Sequence, residues 1–413
     1  MIVFSLNNDR LKLNFNLSWR PTNMIKRQIM QELIEVASQY RVVTLTGPRQ
    51  AGKTTLARLS FPEHAYVSLE DPDLRNLAIT DPRAFLDAYP SPVIFDEIQR
   101  VPSLLSYIQT IVDSNPIKGQ YILTGSHQME LNQAISQSLA GRTALLSLYP
   151  LSIAELIDAK IEDSADGFMH KGFLPAIHAE NLDPTRFYRN YFQTYIERDV
   201  RQMIQIKDML LFEKFMKLCA GRVGQLFVAN KLANEVGVSS HTISEWLSIL
   251  EASFVVYRLQ PFHKNIGKRL VKAHKLYFVD VGLATYLLGI ETQDQLKRDP
   301  LRGNLFENMV VMELIKARCN KGLDPHLYFY RDSNENEVDI IYQSARVYQP
   351  IEIKSATTFQ SEFTKGIEAF KRSVPDESAK GVVIYGGDLT LDLEKAKVLN
   401  FRQSAQALAE IEA

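Results

Sequence analysis

Residues 42–46, VVTLT, form a short apolar run rich in β-formers. Directly after it stand Gly47-Pro48-Arg49-Gln50-Ala51-Gly52-Lys53-Thr54-Thr55. This G-x-x-x-x-G-K-[ST] order constrains the fold more than any other feature of the chain. Its glycines let the backbone curl so that N–H groups face phosphate oxygens. Lys53 neutralises β and γ phosphates, and Thr54 offers a hydroxyl to Mg2+. A helix opening near Lys53 adds its positive N-terminal end. The first part of the chain is therefore expected to be an α/β domain built on a parallel P-loop NTPase sheet.

A second run, Val93-Ile94-Phe95, ends in Asp96 and Glu97. A parallel strand would deliver these acids at the carboxyl edge of its sheet. Asp96 is expected to hold Mg2+ through water, and Glu97 to orient and deprotonate an attacking water. Between the two motifs, residues 65–69 read as a strand and 74–88 as largely helical. The loop strand and the acidic strand are thus not neighbours in sequence. Residues 120–126, QYILTGS, read as a strand ending in small polar groups, of which Thr124 or Ser126 would reach the γ-phosphate or the water. Arg142 follows an expected helix. It is a candidate arginine finger, acting in cis or from a neighbouring subunit, on charge that develops at the transferred phosphoryl. A surface role is its alternative, and a finger in trans would require a homo-oligomer. Arg49 is a weaker candidate.

The chain has 413 residues, enough for two to four domains. It is 46% hydrophobic and 23% charged, which excludes a wholly disordered chain. Its net charge is −1, so any nucleic-acid surface must be local. No apolar run approaches the roughly 20 residues of a membrane span, so no membrane contact is expected. Cys219 and Cys319 are too few for a disulfide framework or a cysteine zinc site, which points to a reducing, cytoplasmic compartment. Residues 1–23 fit poorly onto the helical spacing of Ile25, Ile29, Leu33 and Ala37, and read as an N-terminal extension. The P-loop domain is expected over 24–150.

Residues 151–215 read as a helical lid or linker. Tyr188, Tyr191, Phe192 and Tyr195 at helical spacing favour core packing, while the interleaved Arg186, Arg189, Arg198 and Arg201 leave nucleic-acid contact as the alternative. Residues 216–265 read as a winged helix: a helix over 228–236, Gly237 in a turn, Ser239 or Ser240 as N-cap, a helix over 241–251 and a wing strand over 254–259. The outward residues of the second helix are polar and not basic, so domain packing and DNA reading stand level. From Ala252 to Val279 there is no acidic residue, and Arg258, Lys264, Lys268, Arg269, Lys272 and Lys275 form a local footprint for a polyanion or a solvated loop.

In residues 266–413, Glu307 shares an expected helix face with Val310, Val311 and Leu314, where a carboxylate needs a charged partner or a metal. Asp339 lies in one strand and Glu352-Ile353-Lys354 in the next. A helix Glu, a strand Asp and a Glu-x-Lys resemble the restriction-endonuclease-like core. That resemblance implies Glu307, Asp339 and Glu352 as ligands of a second Mg2+ or a Mn2+, and Lys354 as the group that positions water or stabilises charge.

The segments GPRQAGKTT, VIFDEIQ, LTGS, LAGR and LYPLSIAEL resemble the AAA-type ATP-binding proteins of bacteria and archaea that carry a C-terminal domain of unknown function. Gly172-Phe-Leu-Pro175, Tyr195-Ile-Glu-Arg-Asp199 and Lys275-Leu-Tyr-Phe-Val-Asp280-Val-Gly-Leu extend the likeness from about residue 24 almost to the end. The resemblance implies ATP with Mg2+ as cofactors. Two functions follow as expectations. One is an ATPase that drives a nuclease-like domain on DNA or RNA. The other is a regulatory ATPase switch whose inert C-terminal module meets a protein partner.

Overall fold

The computed structural model describes residues 24–126, 135, 137–195, 209–263, 274–409 and 411, so the expected extension over 1–23 lies outside it. Helix α1 (Met30–Gln39) begins later than the apolar spacing from Met24 suggests, although Ile29, Leu33 and Ala37 are buried as expected. The preceding residues are held by a distant carboxylate and not by a helical ladder. The Gln28 N–H and Arg27 Nε donate to Glu155 Oε1 at 2.7 and 3.1 Å.

Next come β1 (Val42–Thr46), α2 (Lys53–Ser60), β2 (Ala65–Ser68), α3 (Pro72–Thr80), α4 (Pro82–Ala88), β3 (Val93–Asp96), α5 (Leu104–Ser114), β4 (Tyr121–Gly125) and β5 (Thr143–Ser147). The five strands pair in the order β2-β3-β4-β1-β5, all parallel. Val42, Val93, Phe95, Tyr121 and Leu123 enter the core on one face. Val43, Leu45, Ile94 and Ile122 enter the core on the other. Strands apolar at both parities are the mark of a parallel sheet covered on both sides. The single helix expected over 74–88 is two helices. Pro82 has no N–H to continue a ladder, and the Asp81 side chain accepts from Ala84 N at 3.0 Å to start α4 afresh.

The middle of the chain holds α6 (Ile153–Asp158), α7 (Ala165–Lys171), α8 (Pro175–Ala179), α9 (Pro184–Tyr191), α10 (Met209–Ala220), α11 (Ala229–Val236) and α12 (Ser240–Ala252). Tyr188, Tyr191, Phe192 and Tyr195 are all buried, so the aromatic stripe is core. Arg198 and Arg201 lie outside the described residues. Gly237 ends α11, and Ser239 Oγ accepts from Thr242 N to cap α12. Strand β6 (Val256–Leu259) then pairs antiparallel with β7 (Lys275–Phe278). This ribbon straddles the boundary expected at residue 265.

Helices α13 (Val281–Leu287), α14 (Gln293–Arg298) and α15 (Arg302–Cys319) lead into strands β8 (Leu327–Arg331), β9 (Glu337–Ser344) and β10 (Val347–Lys354). These are followed by α16 (Lys365–Ser373), β11 (Gly381–Tyr385), β12 (Leu391–Asp392), β13 (Ala396–Asn400) and α17 (Gln406–Ala409). The sheet order is β12-β13-β11-β10-β9-β8. It is mixed: β8, β9 and β10 form an antiparallel meander, and β10, β11 and β13 run parallel.

One buried core runs from Tyr149 to Leu408 and joins the middle of the chain to this sheet. Helix α15 is buried along most of its length, and its polar residues bond to other elements. Asn308 Oδ1 accepts from Phe278 N at 2.7 Å, and Asn308 Nδ2 donates to Phe278 O at 2.9 Å. Glu313 Oε2 accepts from Ile153 N at 2.8 Å. Lys316 Nζ donates to Glu313 Oε1 and to Leu151 O, both at 2.8 Å. Burial raises the pKa of Glu313 against the pull of Lys316.

Lys316→Met therefore leaves a buried carboxylate without its cation. The expected loss is about 3 kcal/mol near pH 8. A raised folded-state pKa makes the folded protein bind the extra proton, so the loss shrinks as pH falls toward about 5. Thermal melts at both pH values check this, and an equal loss at each would clear the ion pair of the effect.

Candidate functional site

The loop after β1 turns on two glycines. Gly47 has φ +148°, and a Cβ there would sit 2.1 Å from the Leu148 carbonyl oxygen. Gly52 has φ +92° and opens α2. The loop therefore needs glycine at both positions, for close approach at the first and for handedness at the second.

Lys53 is buried, and its Nζ donates to Gly47 O and Pro48 O at 2.9 Å each. Burial lowers its pKa to about 8, against the upward pull of Glu97 and Asp96. Thr54 Oγ1 lies 2.9 and 3.0 Å from the two carboxylate oxygens of Asp96. Tyr66 OH donates to Asp96 Oδ2 at 2.9 Å, and Thr124 Oγ1 donates to Oδ1. Burial and the Asp96 charge both raise the pKa of Tyr66, which keeps it a donor.

Glu97 leaves the strand in the left-handed conformation, with φ +57°. Its Oε2 accepts from Ser126 Oγ at 3.1 Å and from Gln99 Nε2, and Gln99 also donates to Ser126 Oγ at 3.1 Å. Because β4 lies between β1 and β3, its end supplies both Thr124 to Asp96 and Ser126 to Glu97. The expected set Lys53, Thr54, Asp96, Glu97 and Ser126 thus comes together at one sheet edge. A hydroxyl beside a carboxylate, behind a glycine loop carrying a buried ammonium, is a donor set that suits Mg2+ and a polyphosphate.

Sequence reasoning missed Gln99 and Tyr66 as partners of the two acids. Gln99 stands two residues beyond Glu97 and was legible as the last letter of VIFDEIQ. It also missed Arg27, whose Nη1 donates to the loop carbonyl of Ala51 at 2.7 Å and whose Nη2 donates to Tyr149 O at 2.6 Å. Arg49 lies 5.4 Å from the Tyr195 ring centroid. Arg142 is not brought to this edge. It precedes β5, where Val42 pairs with Thr143, and so stands at the amino end of the sheet, about 15 Å of strand from the loop. There its Nε and Nη2 bond Asp113 at 2.6 and 2.8 Å. A finger acting in cis is thus not what this position offers.

A second charged cluster lies in the C-terminal sheet. The register Ile340↔Ile351 puts Asp339 beside Glu352. Lys354 Nζ is 2.6 Å from Glu352 Oε2 and 3.4 Å from Asp339 Oδ2, which also accepts from Ile353 N at 2.8 Å. Burial opposes ionisation of Asp339, but Lys354, Lys275 and the Ile353 N–H together hold its pKa below the ordinary carboxylate range. Burial and the Asp339 charge push Glu352 well above that range. Glu307 meets Lys275 Nζ at 3.0 Å and Tyr277 OH at 2.6 Å. Among the described residues no group of three His, Cys, Asp or Glu is placed to hold a metal. The donors expected for a second Mg2+ or Mn2+, namely Glu307, Asp339 and Glu352, are therefore close together but do not fit a metal as they stand.

The other expected contact surfaces change. In α12, Ser240, His241, Ser244 and Glu245 are exposed, and the helix carries no Lys or Arg. Of the basic stretch, 264–273 lies outside the described residues, Lys275 is buried, Arg258 pairs with Glu251, and the His274 ring stacks on Phe227. Among the described residues no helix is long and apolar enough to cross a membrane.

Residues 39–157 match an AAA domain, 162–294 a domain of unknown function (DUF8612), and 302–403 a domain of unknown function (DUF4143). The uncharacterized protein Rv2008c of Mycobacterium tuberculosis is 33% identical over 340 residues, which is 81% of this chain and 74% of that one. An uncharacterized protein of Haemophilus influenzae is 25% identical over 329 residues, covering 71% of this chain and 79% of the other. Among solved structures, the Walker-type ATPase paby2304 of Pyrococcus abyssi aligns at 13% identity with TM-score 0.45, over 65% of this chain and 98% of that chain.

The lowered pKa of Lys53 sets a pH dependence. Phosphate binding needs the ammonium form, so affinity for a fluorescent ATP analogue should hold below about pH 8 and weaken above it. The expected change is roughly tenfold for each further unit. A flat titration between about pH 7 and pH 9.5 would remove Lys53 as the titrating group.

Proposed function

Since the chain belongs to the family of its mycobacterial relative and carries an AAA domain ahead of a DUF4143 domain, we propose that it is an Mg2+-dependent ATP hydrolase whose nucleotide state is read by its own C-terminal domain. The observation that carries this reading is the paired acid arrangement at the sheet edge, Asp96 with Thr54 and Glu97 with Ser126 and Gln99.

Thr54 and Asp96 would hold Mg2+, which supplies charge neutralisation along the phosphates. Lys53 exchanges the carbonyls of Gly47 and Pro48 for phosphate oxygens. Glu97, fixed by Ser126 and Gln99, orients a water and takes its proton. The loop does not act alone. Arg27 ties the Ala51 carbonyl to Glu155 in α6, and the first N–H of α6 is bound by Glu313 of α15. This continuous set of buried bonds supports transmission from the phosphate loop to the C-terminal sheet.

Glu97→Gln is expected to keep ATP binding and to lower hydrolysis by about a hundredfold or more. Lys53→Ala is expected to lose both. Phosphate release measured beside nucleotide binding checks this, and full hydrolysis in Glu97→Gln would exclude it as the base.

A second reading is a metal-dependent nuclease acting on DNA or RNA. It is favoured by the meeting of Asp339, Glu352 and Lys354 on adjacent strands behind a helix that carries Glu307, the pattern that a restriction-endonuclease-like core would need. Labelled DNA and RNA, single- and double-stranded, with Mg2+ or Mn2+ and ATP, separate the two. Cleavage by wild type that is lost in Lys354→Ala and Asp339→Asn would establish the nuclease. No cleavage alongside intact ATPase would leave the switch, with a protein partner to be sought.

A further inference from the structure

Lys275 opens β7, and only 4% of its surface is exposed. Its ammonium lies 3.0 Å from Glu307 Oε1 and 2.5 Å from Glu337 Oε1. Asp339 follows Glu337 at strand period, so both project to one face of β9. Tyr277 donates to the same Glu307 oxygen that Lys275 holds. On the far side of Asp339, Lys354 pairs with Glu352. Four carboxylates from α15, β9 and β10 are therefore gathered, and the cations that meet them are the ammoniums of Lys275 and Lys354, with the Arg331 guanidinium 4.0 Å from Glu337 at the outer end.

We propose that Lys275 is a built-in counter-cation. It holds the place that a divalent metal would take among Glu307, Glu337 and Asp339, and the cluster accepts such an ion only when this ammonium withdraws. The proposal rests on the second reading of the cluster, as a set of metal-binding type. Buried carboxylates require a cation, and a tethered lysine supplies one at high effective concentration. An ammonium and a divalent ion cannot share one set of oxygens, because at contact distance their repulsion is strong.

The backbone cannot move aside easily. Lys275 pairs with Leu259 on one side and bridges to Leu226 on the other. Withdrawal is therefore a motion of the side chain, or of α15 carrying Glu307 away from it. Either motion makes the cluster conditional in a way that the Glu-x-Lys pattern alone does not imply.

The test is Mn2+ binding to the nucleotide-free full chain, followed by electron paramagnetic resonance. Wild type is compared with Asp339→Asn, with Lys275→Met and with Lys275→Met combined with Asp339→Asn. Lys275→Met is expected to gain one Mn2+ per chain, bound at least about tenfold more tightly than by wild type. The added Asp339→Asn is expected to abolish the gain. If wild type binds Mn2+ as tightly as Lys275→Met, and Asp339→Asn removes that binding, the cluster is a metal site and the blocking role of Lys275 is wrong. If folded Lys275→Met binds none, the metal-site reading and the blocking role both fall.

Thermal melts cover the case in which Lys275→Met is too unstable to titrate. Mn2+ should then raise the melting temperature of Lys275→Met and of Lys275→Gln while leaving wild type unmoved. No rise in either variant overturns the proposal.

Discussion

The buried pair of Arg27 and Glu155 is the joint on which the arrangement of the chain depends. Arg27 gives three side-chain bonds, to Glu155, to the loop at Ala51 and to Tyr149. Glu155 also accepts from Gln28 N and Ser152 N, so that it completes the capping box that Ser152 begins at α6 and anchors the segment before α1. Two charges so enclosed are stable only while both are present and fully bonded. The phosphate loop is thereby referenced to the same carboxylate that begins the middle of the chain. A shift of the loop cannot stay local without breaking these buried bonds.

The two acidic clusters satisfy their carboxylates by different means. Asp96 and Glu97 are surrounded by neutral donors: hydroxyls of Thr54, Tyr66, Thr124 and Ser126, and the Gln99 amide. Neutral donors fix the orientation of an acid without cancelling its charge, which leaves it able to bind a cation. Asp339, Glu307 and Glu352 are met by ammoniums, which cancel the charge as well. The first cluster is therefore poised for an incoming ion, whereas the second already holds cations of its own. Sequence motifs do not distinguish these cases, because they name the acids and not the donors that come to surround them.

What was legible in the sequence was short-range. The loop at Gly47–Thr54, the acids at 96 and 97, Thr124 and Ser126, the turn at Gly237 and the Glu-x-Lys strand all depend on spacings of a few residues. Hydrogen bonding and strand period fix such spacings. Asp81-Pro82 splitting a helix was equally local and was overlooked. The rest was set by long-range geometry. Arg142 follows an expected helix, but the parallel register carries it to the wrong end of the sheet. Lys275 belongs to an acid-free stretch that suggested a polyanion surface, yet its side chain meets acids brought from α15 and β9. Arg27 has no neighbouring pattern at all, since its partner is 128 residues away.

Asn308 has a consequence beyond holding α15 to the ribbon. Its amide accepts from the N–H and donates to the C=O of the same residue, Phe278, as an adjoining strand residue would. A two-stranded ribbon ordinarily leaves a row of unpaired peptide groups that another chain can adopt. Here residues 224–227 pair with that edge as far as Leu276, and the Asn308 side chain continues the pairing at Phe278. A residue that looks like a packing detail thus stands in for the next strand position, so that the ribbon's peptide groups stay paired where the neighbouring segment ends.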